Sequence, residues 1–253
     1  ATNLNEHHVR RTTVGVAGHG QFTQPSLHLT SDVRNHLHIT TEVATSSLTL
    51  QACFKTLTVL LREASGRVAL SQAQLKVLLS FARQDILDSG RQAVAFGLVC
   101  AIIARKFVCE EVYDLVEAIG EHMVTSQSEQ TRALSAQTLV QFLLEFPLGD
   151  KRLHAHVSAL LRNLDYAYET GRKVVLEVLA RLVDKLPDDV LGAYVELIFL
   201  PLVTRLVNDD SATCRRMVGV LIKALLARAE RRQADGLVEF VVEWSAGGEG
   251  LLR

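Results

Sequence analysis

The sequence predicts an all-α protein built as a solenoid of stacked antiparallel helical hairpins, and three observations predict it. Apolar residues recur at helical spacing from about Ser46 to the end of the chain. No segment alternates with the period of two that a half-buried strand requires. Four times an Arg stands six residues after a position just ahead of a helix: Asp85 with Arg91, Ser126 with Arg132, Tyr166 with Arg172, and Asp209 with Arg215. These Arg are 41, 40 and 43 residues apart, a spacing that accommodates two helices and their turns in each unit.

A period of that length is the one found in HEAT-type repeats. The stretch from Leu200 to Leu226 displays the unit most clearly: an apolar run, then Asn208, Asp209, Asp210 and Ser211, then a second apolar run. Short oxygen-bearing side chains take up the free amides of a new helix, so one helix ends there and another begins.

The first apolar stripe runs from Leu48 to Glu63, with apolar residues at 50, 53, 54, 57, 60 and 61 on one face, and is broken at Ser65, Gly66 and Arg67. Ser71 followed by Gln74 predicts a capping box, and Ser89 with Gln92 and Ser126 with Glu129 repeat the pattern. The amphipathic outer helices are expected at Ala73–Arg83, Glu110–Val124, Leu153–Leu164, Asp189–Val207 and Ala234–Trp244. The inner ones are expected at Ser89–Arg105, Glu129–Phe146, Thr170–Leu186 and Ser211–Ala229. These inner segments are apolar over much of their circumference, so neighbours should sandwich them. Pro201 falls inside an outer helix and lacks the amide that would bond four residues back, which predicts a bend or restart. Pro147-Leu148-Gly149-Asp150 and Pro187-Asp188-Asp189 separate units, with Asp expected to cap the next helix.

Residues 1–45 differ from the remainder. They hold six of the nine His, together with Gly15, Gly18 and Gly20, and no sustained helical period. They are expected to be a poorly ordered or unrelated leader, with 46–253 forming the repeat segment. An Ala at position 1 and a helical pattern running nearly to Arg253 suggest a stretch of something longer, because solenoids normally finish in polar capping repeats.

A chain of 253 residues, 48% hydrophobic and with 4 Pro, can bury a long continuous core. Its 27 basic and 28 acidic side chains nearly cancel, so any attraction to nucleic acid must be local. Ala93–Ala104, the longest uncharged apolar run, is shorter than the roughly 20 residues of a membrane span. Cys53, Cys100, Cys109 and Cys214 form no C-x-x-C pair and are expected to be buried, reduced thiols, which points to a cytosolic or nuclear setting.

Motifs that would carry chemistry are lacking. There is no G-x-S-x-G elbow, H-E-x-x-H pair, Walker loop or dinucleotide turn. Gly15-x-x-Gly18-x-Gly20 has no Lys-Ser/Thr after it and reads as linker. His36 with His38 and His154 with His156 are two apart, hence on different helix faces, with no cluster to complete a metal's ligands. Glu110-Glu111, Asp188-Asp189 and Asp209-Asp210 lie at helix starts, where carboxylates meet the positive end of the macrodipole. No enzyme activity, cofactor, metal or small-molecule substrate is therefore expected.

The repeated Arg91, Arg132, Arg172 and Arg215 have two readings. One is a row of phosphate contacts. The other, which is favoured, is a structural ladder in which each guanidinium bonds turn carbonyls or the Asp of the adjacent unit. A second basic cluster comprises Arg215, Arg216, Lys223, Arg228, Arg231 and Arg232, with Arg216 and Lys223 on a shared face. A solvated face is its plainer reading. If any part of the chain meets RNA or a partner, Arg215, Arg216, Lys223 and Arg231 are the candidates.

Five peptides carry a more specific signal: Gln92-Ala93-Val94-Ala95-Phe96-Gly97-Leu98, Ser126-Gln127-Ser128-Glu129, Pro147-Leu148-Gly149-Asp150, Tyr168-Glu169-Thr170-Gly171-Arg172 and Asn208-Asp209-Asp210-Ser211-Ala212-Thr213-Cys214. In order and spacing, from about Ser46 to Arg253, the chain resembles the down-regulated-in-metastasis family, component twenty of the small nucleolar RNA-associated proteins of the small-subunit processome. The resemblance implies a nucleolar, non-catalytic HEAT-repeat scaffold acting in small-subunit rRNA processing and ribosome biogenesis. Processome proteins and pre-rRNA or small nucleolar RNA are the implied partners, with no membrane. Another HEAT adaptor, such as a nuclear transport receptor or phosphatase scaffold, is the alternative.

Overall fold

A computed structural model of the protein describes residues 31–63 and 69–246, with side chains given from Ser47 onward. The chain divides into two units, 1–45 and 46–253. Gly15, Gly18, Gly20 and the side chains of His36 and His38 lie outside what is described.

Among the described residues eleven α-helices account for the regular structure, with no strand. They are α1 (Ser31–Glu63), α2 (Gln72–Asp85), α3 (Gln92–Ala104), α4 (Glu110–Thr125), α5 (Glu129–Glu145), α6 (Gly149–Arg162), α7 (Glu169–Lys185), α8 (Asp188–Gly192), α9 (Val195–Asn208), α10 (Ala212–Arg228) and α11 (Arg231–Ala246), with a 3-10 turn at Asn163–Asp165. Helix α1 begins well upstream of Ser46, where the apolar stripe starts, because backbone helicity does not need an apolar face.

The hairpins are α2/α3, α4/α5, α6/α7 and α8–α9/α10. The second helices pack in chain order, α3 on α5, α5 on α7, and α7 on α10. This is the solenoid expected from the period. Its core is one strip of buried apolar side chains from Phe54 to Leu225. Helix α3, QAVAFGLVCAIIA, has no charge to keep in water and buries Phe96, Leu98, Val99, Ile102 and Ile103 around most of its circumference. In contrast, α10 buries one stripe, Cys214, Val218, Leu221 and Leu225. It is amphipathic rather than sandwiched, because α9 and α7 cover it and the opposite face is open.

The helix starts show where local pattern misleads. Ser71 and Gln74 form the full box: Ser71 Oγ accepts from the Gln74 amide at 3.3 Å, and the Ser71 amide donates to Gln74 Oε1 at 2.9 Å. Ser89 and Gln92 do not. Gln92 is buried, and its Oε1 accepts from Thr131 Oγ1 of the next repeat at 2.7 Å. The tertiary partner takes the amide that the local box would have used. At α5 the cap moves two residues on, to Ser128, whose Oγ accepts from the Thr131 amide, while Ser126 Oγ accepts from the Ser128 amide. Pro187 and Leu148 occupy the cap positions of α8 and α6, so neither Asp188 nor Asp150 caps. Gly149 has φ +68°, which an L side chain resists. Pro201 sits inside an unbroken α9, and the restart expected of it lies upstream at Ala193-Tyr194, between α8 and α9.

Candidate interaction surface and the arginine ladder

The six-residue offset is a hydrogen-bonding distance. Arg132 Nη1 donates to the carbonyls of Ser126 and Gln127 at 2.9 and 3.1 Å. Arg172 Nη1 donates to those of Tyr166 and Ala167, both at 2.9 Å. Arg215 Nη1 reaches the carbonyl of Asp209. A guanidinium in the first turn of each inner helix folds back over its own entry loop and binds carbonyls that the helix cannot satisfy. Arg91 departs from this pattern and takes carboxylates in place of carbonyls. Its guanidinium pairs with Asp85 Oδ1 at 2.8 Å and Asp88 Oδ2 at 2.7 Å. The Gly90 amide and Arg91 together hold the Asp88 carboxyl below the usual carboxylate range.

Arg172 also ties two repeats together. It is buried, and it grips the buried Asp209 with Nε on Oδ2 and Nη2 on Oδ1, each at 2.9 Å, the bidentate geometry of a strong charge-assisted pair. Asp210 adds a further contact. Asp209 Oδ1 accepts as well from the Ser211 amide at 2.9 Å, and Ser211 Oγ caps α10 through the Cys214 amide at 3.2 Å. Burial works to raise the Asp209 carboxyl, but the Arg172 and Ser211 bonds prevail and hold it below its ordinary value. Burial likewise opposes the Arg172 charge, and Asp209 more than restores it.

The second basic cluster is divided by its contacts. Arg215 is committed to the Asp209 carbonyl, and Arg228 reaches across to the carbonyls of Val183 and Leu186 and to Asp188 of the preceding hairpin boundary. Arg231 lies 3.7 Å from Asp235 on α11, exposed, and Arg232 is also exposed on that helix. Arg216 and Lys223 remain, exposed on one face of α10, where Arg216 has only a 3.5 Å contact to Thr213 Oγ1. One repeat earlier, Lys173 stands on α7 where α10 has Arg216, and Ala180, beside the exposed Arg181, stands where α10 has Lys223. The signal for Lys173 in the sequence is the ladder itself: Lys173 follows Arg172 as Arg216 follows Arg215.

A cleft of about 720 Å³ separates α4 from α6. Arg152 lies over the Tyr113 ring at 4.0 Å on its rim. His156 meets Phe142 edge-on at 5.6 Å, and its burial lowers its pKa. His154 points away, toward Tyr194 at 6.0 Å. Among the described residues no three His, Cys, Asp or Glu gather as a metal site, and no helix is long and apolar enough to cross a membrane. The thiols differ from expectation: Cys214 is buried, Cys100 and Cys109 are half-buried, and Cys53 is exposed, because it lies beside the buried stripe of α1 rather than within it.

Stacked hairpins tied by Arg at each entry loop define a HEAT-type solenoid, whose chemistry is carried by surface. No family model matches the chain. It is 32% identical over 219 residues, 85% of its length, to U3 small nucleolar RNA-associated protein 20 of Schizosaccharomyces pombe. It is 29% identical over 201 residues, 79% of its length, to the protein of the same name in Saccharomyces cerevisiae. The chain belongs to that family, as its five peptides imply. It spans 9% of the first relative and 8% of the second.

Proposed function

We propose that the chain is one stretch of a non-catalytic scaffold of the small-subunit processome, working in the nucleolus in processing of pre-rRNA and biogenesis of the small ribosomal subunit. The carrying observation is the match over 85% of the chain to a relative named for its association with a small nucleolar RNA. A solenoid suits the task, since stacked repeats offer a long surface and each repeat is stabilised by its neighbours. Contact with partners falls on exposed side chains that have no structural duty, Arg216 and Lys223 of α10 foremost. Arg231 is a weaker candidate beside Asp235, and Arg215 contributes as a structural strut. Affinity purification of the full-length parent protein tests the reading: pre-rRNA, small nucleolar RNA and processome proteins should come with it. Recovery of transport receptors or phosphatase subunits in their place would overturn it.

A further inference from the structure

Packed helices normally run with their axes about 8 to 10 Å apart. The outer helices α4 and α6 instead leave a cleft of about 720 Å³ between them. Tyr113 and Arg152 close one end, where the guanidinium over the ring joins the two helices, and Thr125 and Asn163 line the other. The buried Val116, Met123, Leu139 and Leu160 form the floor. From Tyr113 to Thr125 the α4 wall is about 18 Å long, at about 1.5 Å per residue. Spread over that length, the volume gives a mean cross-section of about 40 Å². A helix with its side chains, about 10 Å across or more, has about twice that section. A single extended chain matches it closely, since strands lie about 4.8 Å apart and packed sheets about 10 Å.

The walls differ in charge. Glu117 and Glu121 stand on α4, one turn apart and exposed. Across from them α6 presents Ala155, His156 and Ala159, and burial lowers the His156 pKa, so this stretch is uncharged at neutral pH. Basic residues lie toward the two ends, Arg152 on Tyr113 and Arg162 beside Asn163. Glu117, Glu121 and Arg162 form no ion pair or side-chain hydrogen bond among the described residues. The cleft thus carries both signs of charge without pairing them across itself. Glu117 and Glu121 are about 6 Å apart along their axis, close to the roughly 6.6 Å between alternate side chains of an extended chain. Arg152 and Arg162 are about 15 Å apart, against about 13 Å between residues four apart in such a chain.

We infer that the α4–α6 cleft takes an extended segment of a partner protein, with two basic residues at alternate positions facing Glu117 and Glu121 and an acidic residue on either side of that pair facing Arg152 and Arg162. This deepens the scaffold reading and rests on it for the assembly to which the partner belongs. Alternation sends the residue between the two basic ones to the α6 wall, so a small side chain there lies over Ala155 and Ala159. Gly120, midway along the α4 wall, has nothing within 4 Å of where a Cβ would stand, which leaves its backbone open to close approach. A phosphodiester backbone is a poor match, because Glu117 and Glu121 repel it along the middle of the cleft.

The test is a titration of the isotope-labelled chain with the blocked peptide Gly-Glu-Lys-Ala-Lys-Glu-Gly, followed by amide chemical shifts up to about 5 mM peptide. Saturable shifts should map to α4 and α6. The peptide Gly-Lys-Glu-Ala-Glu-Lys-Gly has the same composition but sets like charges against each wall, and should bind about tenfold more weakly. E117Q with E121Q, both at exposed sites, should weaken the first peptide about tenfold. Gly120→Leu places a side chain in the cleft at a helical position that favours Leu over Gly. It should abolish binding while melting no lower than wild type by circular dichroism. The Glu variants keep the test valid if Gly120→Leu does not fold.

Absence of shifts on α4 and α6, equal binding of the two peptides, or binding that survives Gly120→Leu in a folded chain overturns the assignment. Shifts of the same amides on adding oligouridine give the cleft to RNA, and shifts on concentrating the chain alone give it to a second copy; either overturns it as well. If the peptide fails while processome proteins still co-purify with the parent, the cleft assignment falls alone. If the peptide binds while the parent brings down transport receptors, the scaffold reading falls alone.

Discussion

At the scale of single residues, the Arg172–Asp209 pair is the most consequential contact. Removing one partner of a buried pair leaves the other charge desolvated, so Arg172→Ala should lower stability by about 3 to 5 kcal/mol, measured by urea unfolding at neutral pH. The pH dependence follows from the depressed Asp209 carboxyl. Stabilisation from such a group is present above the unfolded carboxylate pKa of about 3.9 and is lost as pH falls through the lower folded value. Without Arg172 the carboxyl is buried beside fewer donors and its folded pKa rises. The difference between wild type and variant should therefore shrink as pH is lowered from about 7 to 4; a constant difference would show that the pair is not what the substitution removed. Gly171, next to it, has a steric reason. A Cβ there would stand 2.5 Å from Tyr166 Cδ1 and 2.8 Å from the Val124 carbonyl. Since backbone cannot give way as a flexible side chain does, Gly171→Ala should cost about 1 to 3 kcal/mol in thermal or urea melts.

At the scale of elements, two Ser residues with the same local motif have different fates. Ser71 caps α2 and Ser89 caps nothing, because the cap position of α3 falls on Arg91, which makes no side-chain cap bond. Ser71→Ala should lose about 1 kcal/mol. Ser89→Ala should stay within about 0.5 kcal/mol, as exposed substitutions usually do. The same melts measure both, and equal losses would mean that the box at Ser89 forms in solution. The physical distinction lies in Gln92. Its amide has a buried partner in Thr131, and a charge-neutral bond inside the core outcompetes one at a hydrated helix start.

At the scale of the whole molecule, the junction between the α6/α7 and α8–α10 hairpins is tied at both ends. Arg172 reaches forward to Asp209, and Arg228 reaches back to the Val183 and Leu186 carbonyls and to Asp188. In a repeat array cooperativity depends on such nearest-neighbour terms. Arg172→Ala with Arg228→Ala should therefore split the urea transition of the described array in two, with amides of α9 and α10 exchanging ahead of those in α3 and α5. A single transition with uniform exchange would place the coupling in the apolar contacts alone. The outer side is looser: the α4–α6 cleft separates helices whose inner partners α5 and α7 are packed together.

The helical hairpins, their order and the repeat period were legible in the sequence, because amphipathic spacing and a recurrent Arg are local or strictly periodic signals. Burial of Leu221 and Leu225 followed from the same stripe. Family membership was legible as well, carried by short peptides in fixed order. What only the tertiary structure decided is which polar groups spend their hydrogen bonds on a neighbouring repeat. Gln92 turns to Thr131 and Arg228 to carbonyls more than forty residues away, and of the ladder arginines it is Arg172 that adds the Asp of the adjacent unit to its turn carbonyls. Those choices turn on distances between helices, which no local pattern contains. They also determine which cations remain for a partner: Arg215 is taken by the entry loop of α10 and Arg228 by the end of α7, while Arg216 and Lys223 on the same helix stay exposed.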